Sequence, residues 1–316
     1  MATTIAIPTT PGVANCAGAA LGAQSAGTLG PILVATDGSE SADPAFAAAR
    51  VLAERLRGTV NVVTVFEPTP VYIAAPQIFP VPSNFDDTAM GLLRERARQQ
   101  ALRMTGETAA WPVEVHVGDP AATVLRIARE RSASLVITGV SRHGVIDRVL
   151  GEETASHIGN LIETPMLAAT SAFTRLPRTV LIAIDLDSPR IPGAPVIREL
   201  FSEASTVYFV NAQPGVSSVD RAELSSWELM YCDEIAEAYD RVKRSLALPR
   251  KVSQQLMQLT GSRKKGILDF AEYAKVDLIV VGQRRRSLRP RRLGTGLLTQ
   301  ILRATACSVL VLPRAR

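Results

Sequence analysis

The chain has 316 residues and a formal net charge of +5; 47% of it is hydrophobic but only 5% aromatic. That length suits roughly two ordinary domains, and a core built from Ala, Val, Leu and Ile suits parallel sheets covered by helices. No apolar run approaches the ~18 residues of a membrane-spanning helix. The three scattered cysteines, Cys16, Cys232 and Cys307, form neither a disulfide framework nor a metal-ligand spacing.

Residues 1–28 carry no charged side chain, are rich in Ala, Thr and Gly, and read as a flexible tail. They lack the basic segment of a secretory signal, and the cytoplasm is the expected compartment. The first strand is expected at 31–36, in PILVATDGS, and runs into Asp37. SADPAFAAARVLAERLR then has the apolar periodicity of a helix, with Ser41 as its expected cap. A strand follows at 60–66. Residues 68–85 contain five prolines and read as neither helix nor core strand. So long a loop is either functional or a surface segment packed on its own domain. DDTAMGLLRERARQQALRMTGE predicts a long amphipathic helix. A strand at 111–117 leads into Gly118-Asp119-Pro120 and the helix PAATVLRIARERS. The strand at 134–139 opens TGVSRHGVIDRVLGEETA, a glycine-punctuated loop entering a helix near Gly151, and the last strand of this half falls at 165–170.

The second half repeats the first. TVLIAIDLD matches PILVATDGS, with Asp185 in the place of Asp37. Gly118, Gly139 and Gly151 correspond to Gly261, Gly282 and Gly294, all shifted by 143 positions. Strands are expected at 179–185, 206–212, 251–258, 277–282 and 308–313, with GILDFAEYAK as a helix between them. Strands alternating with helices predict an α/β fold: two tandem, doubly wound, five-stranded parallel-sheet domains over 29–175 and 176–316. In such sheets ligands bind beyond the carboxyl ends of the strands, at the point where strand order reverses.

ATDGSE, VGDPAATVLRIA and TGVSRHG…LGEETASHI…ETPML together resemble the universal stress protein family, as a tandem pair covering nearly all of the chain beyond the tail. The resemblance implies a stress-response accessory protein whose halves pack as an intramolecular pseudo-dimer, and whose whole chains pair as homo-dimers. It also implies adenine-nucleotide binding in some members. Asp37 and Asp185 would lie on the adenine side, and Gly118, Asp119 and Pro120 would border the ribose. A loop of the form G-x2-G-x9-G-[ST] after the fourth strand would hold the phosphates.

The two loops answer that form differently. In the first half Gly139, Gly144 and Gly151 are present, but Glu152 and Glu153 follow Gly151. Carboxylates at a helix start are favoured by the dipole and compete with phosphate for the same N–H groups. In the second half Thr295 follows Gly294, six arginines lie between Arg284 and Arg292, and the partner segment after Gly261 is SRKKG. ATP or another phosphate-bearing ligand is therefore expected at Asp185, Gly261, Gly282, Gly294 and Thr295 in preference to the first half. The alternative is a scaffold that acts through protein–protein contacts and leaves both loops as turns.

Other classes fit less well. GVSRH at 139–143 approaches a nucleophile elbow, but His143 stands where the sharp turn needs a small residue. The three histidines, His116, His143 and His157, build no metal cluster. No aromatic residue interleaves with the arginines, so a base-stacking platform for nucleic acid is missing. The expectation is a binding protein rather than an enzyme, with Asp37 and Asp185 as the only general-base candidates for slow ATP hydrolysis.

Overall fold

The computed structural model describes residues 4–6, 30–56, 58–67, 85–106, 111–140, 151–184, 186, 195–213, 225–283 and 296–313. After a short strand β1 (Thr4–Ala6), the first half contains β2 (Ile32–Ala35), α1 (Asp43–Leu56), β3 (Val60–Phe66), α2 (Phe85–Thr105), β4 (Val113–Val117), α3 (Pro120–Glu130), β5 (Leu135–Gly139), α4 (Gly151–Leu161) and β6 (Met166–Ala169). The second contains β7 (Thr179–Ala183), α5 (Pro195–Leu200), β8 (Thr206–Gln213), α6 (Ser226–Leu246), β9 (Ser253–Thr260), α7 (Arg263–Tyr273), β10 (Leu278–Gly282), α8 (Leu297–Ala304) and β11 (Ser308–Leu312). Each of the ten expected strands is present, shifted by two residues or fewer at either end. The expected loop at 68–84 lies outside the described residues. Within the stretch read as a tail, Thr4–Ala6 pair antiparallel with Met257–Leu259 of β9.

The strands form one sheet in the order β1-β9-β8-β7-β10-β11-β6-β5-β2-β3-β4. Each half contributes a parallel five-stranded block, and the blocks join where β6 and β11 pair antiparallel. The register at this joint follows from the repeat. Leu310 faces Leu167, its own counterpart at the 143-residue shift, while Val309 faces Ala168 and Val311 faces Met166. A pseudo-twofold axis therefore passes through the Leu167–Leu310 pair. The repeat extends to backbone torsions: Ser132 and Lys275, also 143 apart, leave α3 and α7 with φ of +49° and +48°.

Both faces of the sheet are covered, which is why its central strands β2, β5, β6, β7, β10 and β11 are near-continuous apolar runs, while the outer strands β4 (VEVHV) and β9 (SQQLMQLT) are not. One core lies under α1, α2, α5 and α6, and includes Phe46, Leu167, Phe201, Phe209 and Leu310. The other lies under α3, α4, α7 and α8, and includes Ile127, Ile158, Phe270 and Ile301. Each core runs through both halves without a break. Across the axis, Ser156 of α4 and Thr299 of α8, again 143 apart, are buried and hydrogen-bonded at 2.5 Å. Arg55 of α1 pairs with Glu203 beyond α5 on the opposite face.

The chain entering each half is pinned by the residue just before its fourth strand. Ser134 Oγ donates to Gly30 O at 2.6 Å. In the second half Asp277 Oδ2 accepts from the backbone N–H groups of Arg178 and Thr179 at 2.8 and 2.9 Å.

Candidate functional site

Strand order reverses between β2 and β5 in the first half and between β7 and β10 in the second. The carboxyl ends of these strands hold the residues expected from sequence. Asp37 lies two residues beyond β2, Gly139 ends β5, Gly118 follows β4 and Gly151 opens α4. Gly282 ends β10 and Gly261 follows β9. Gly144, Asp185, Gly294, Thr295 and the arginines at 284–292 lie outside the described residues.

In the first half the start of α1 packs closely on the end of β5. A 3-10 turn at Glu40–Ala42 precedes α1, and Ser41, expected as the helix cap, lies inside that turn. Its hydroxyl bonds Ser39 Oγ at 2.6 Å, and its carbonyl lies against the end of β5. A Cβ on Gly139 would sit 2.5 Å from Ser41 O and 2.6 Å from Ala42 Cα. The room that glycine provides is occupied by backbone.

The loop that carries Asp37 is held from two sides. Exposed Asp37 turns back on itself, its Oδ1 accepting from Ser39 N at 2.9 Å and Ser39 Oγ at 2.5 Å. Beneath it lies Gln100 of α2, 1% exposed, which the sequence reading did not single out. Its amide oxygen accepts from Thr36 Oγ1 at 2.6 Å, and its nitrogen donates to Ser39 O and Asp43 Oδ1, both at 2.6 Å. Arg103 closes the network on Asp43 at 3.0 Å. A glutamine in a predicted amphipathic helix gives no local signal of this. Only the fold brings position 100 under position 36.

The glycines after the third strands lead into opposite chemistry. Gly118 has φ +139°, Asp119 Oδ1 accepts from Ala122 N at 2.7 Å, and Pro120 opens α3. That helix start is capped by a carboxylate. Gly261 has φ +98°, with open space where a Cβ would stand. Ser262 makes no side-chain cap bond, and Arg263, Lys264 and Lys265 fill the first turn of α7 with no acidic residue among them. Cations there oppose the helix dipole and favour an anion.

The halves also differ one residue beyond the fourth strands. Val140 and Gln283 both donate their backbone N–H across to the fifth strand, at 2.9 Å to Ala169 O and 3.0 Å to Leu312 O. Val140 is buried, whereas Gln283 Nε2 reaches across the pseudo-twofold axis to Gly159 O at 2.8 Å and Ile162 O at 2.7 Å, the carbonyls that end α4. Gln283→Ala should cost about 1–2 kcal/mol by leaving those carbonyls without this donor. Chemical denaturation, compared with Val140→Ala as a cavity control, checks this.

Burial pushes the Cys307 thiol pKa up, so it behaves as a small core residue. At the far edge of the first half, burial raises the Glu114 pKa, but the hydrogen bonds and charges of Arg131 and His116 outweigh it and hold that carboxyl below its ordinary range. Among the described residues no group of three or more His, Cys, Asp or Glu is placed to hold a metal ion. Nor is any helix long and apolar enough to cross a membrane.

The sequence pattern of the Universal stress protein family matches residues 28–169 and again residues 178–313. The chain belongs to the universal stress protein family. Its two matched units coincide with the two parallel blocks of the sheet. Among solved structures it is similar to a universal stress protein from Archaeoglobus fulgidus (TM-score 0.57, 16% identity, 90% of this chain and 98% of that one covered). It is also similar to a putative universal stress protein from Pseudomonas aeruginosa (TM-score 0.55, 14% identity, 92% and 95% covered). At these identities the likeness is one of fold. No protein of curated function matches the sequence.

Proposed function

We propose that this universal stress protein is a stress-response accessory protein that binds an adenine nucleotide, or another phosphate-bearing ligand, through its second half. The observation that carries this reading is the contrast between two equivalent helix starts, Gly118-Asp119-Pro120 with its carboxylate cap and Gly261-Ser262-Arg263 with three cations. Phosphate needs unpaired N–H groups, room and no competing anion. Gly261 and Gly282 supply the backbone here, with Gly294 and Thr295 of the sequence motif as the expected phosphate contacts and Asp185 on the adenine side.

The first half serves as the structural partner, since the space at Gly139 is taken by Ser41 and Ala42. The role is binding rather than turnover, in the cytoplasm, and whole chains pair as homo-dimers. Calorimetric titration of the chain with ATP and Mg²⁺ tests the reading. One site per chain is expected, lost in a Gly294/Thr295 double variant and weakened in Lys264→Glu, with Glu152→Gln binding as the parent does. No heat at millimolar ATP would leave the scaffold reading for both halves.

A further inference from the structure

The sheet has two outer edges, and among the described residues only one is closed. On β9 the short strand β1 pairs antiparallel, with Ile5 opposite Gln258. Ser253 N donates to Ser205 O, so the odd-numbered residues of β9 turn their backbone to β8, and Gln258 turns its own outward to β1. At the 143-residue shift the counterpart of Gln258 is Val115 of β4, the opposite edge. No described strand pairs with β4 on its outer side. Val62 N donates to Pro112 O at 2.9 Å and Gly118 N to Phe66 O at 3.0 Å, so the even-numbered residues of this segment serve β3. Val113, Val115 and Val117 therefore present both backbone groups to the outside, and Val117 is 52% exposed. Edges are ordinarily protected by proline, lysine or a bulge. VEVHV contains neither residue, and its register with β3 runs from Val113 to Val117 without a bulge.

We infer that a second copy of this chain docks on β4: the two β4 strands pair antiparallel around a true twofold axis at Val115, and one sheet runs through both molecules. This rests on the pairing of whole chains proposed above and names the strand that makes it. The strand's own sequence selects this occupant. Val-Glu-Val-His-Val laid antiparallel on itself puts Val115 on Val115, Val113 on Val117 and Glu114 on His116. The backbone phase agrees. The residues so opposed at Val115 and at Val113–Val117 are those whose N–H and C=O groups face out, so each pair exchanges two hydrogen bonds. Glu114 and His116 then fall at the non-hydrogen-bonded positions, where opposed side chains stand closest. Glu114 Oε2 already accepts from Arg131 at 2.6 Å and lies 3.2 Å from His116 Nε2 of its own strand. The second imidazole joins that cluster, and no carboxylate is set opposite another, so the side chains accept the register that the backbone sets. The chain's other edge strand, β1, is already engaged on β9. With β9 closed, strand addition stops at two copies.

Analytical ultracentrifugation and cysteine cross-linking of the full chain test this, with circular dichroism checking the fold of each variant. The parent should sediment as a dimer. V115P removes an outward N–H and leaves the bonds to β3 in place, so it should be folded and monomeric. Cys232 and Cys307 are buried, so cross-linking needs only a Cys16→Ser background. There V115C should give a covalent dimer on oxidation, because its two Cα atoms would stand about 5.5 Å apart. V113C should stay unlinked, its two copies lying about 14 Å apart along the strands, while V113C/V117C should link. If V115P is unfolded, the cross-links decide alone. A monomeric parent would overturn both the pairing and this edge. A dimeric parent that a folded V115P leaves dimeric, or whose V115C does not link, would overturn the β4 edge while leaving the pairing intact. Linking by V113C in place of V115C would overturn the twofold axis at Val115.

Discussion

Leu310→Asp should unfold the joint between the two halves, lowering stability by more than about 4 kcal/mol. Leu310 is fully buried and lies on the pseudo-twofold axis opposite Leu167, which is equally buried. A carboxylate there has no described cation beside it and must either ionise in an apolar core or take up a proton. The milder pair Leu167→Ala and Leu310→Ala gives a sharper reading. Each should cost about 2–5 kcal/mol. Directly opposed residues share one cavity, so the double variant should fall short of the sum by at least about 0.5 kcal/mol. Denaturant titrations of the four proteins measure this coupling. Strict additivity would mean that the two halves do not meet as the register states.

Gly139→Ala should cost about 1–3 kcal/mol, as overpacking of a tight site does. The added methyl meets backbone, Ser41 O and Ala42 Cα, rather than the tip of a yielding side chain. The same substitution should leave ATP binding at the second half unchanged once the protein is folded. Thermal unfolding beside calorimetry separates the two effects. A stable variant that had lost nucleotide would return phosphate binding to the first half.

Much of the fold was legible because the repeat is literal. The 143-residue shift of three glycines already implied two copies, and continuous apolar runs implied strands covered on both faces. The joining of those copies into one sheet was not legible. Nothing in MLAA or SVLVL states that one strand pairs antiparallel with the other, because pairing between apolar edges is decided by tertiary context. The sequence reading placed Asp37, Gly118, Gly139, Gly261 and Gly282 at strand ends, where they are. It assigned Ser41 to a helix cap, although its carbonyl instead packs on Gly139 through a turn that the amphipathic pattern conceals. Gln100 and Gln283 were invisible as anchors, because what a glutamine side chain bonds depends on residues 64 and 124 positions away.

Phosphate binding is proposed for the second half, at Gly261, Gly282, Gly294 and Thr295. Photolabelling of the chain with 8-azido-ATP, followed by peptide mapping, tests it most directly. Label is expected in peptides from residues 176–316, suppressed by excess ATP. ATP-protected label confined to residues 29–175 would contradict it.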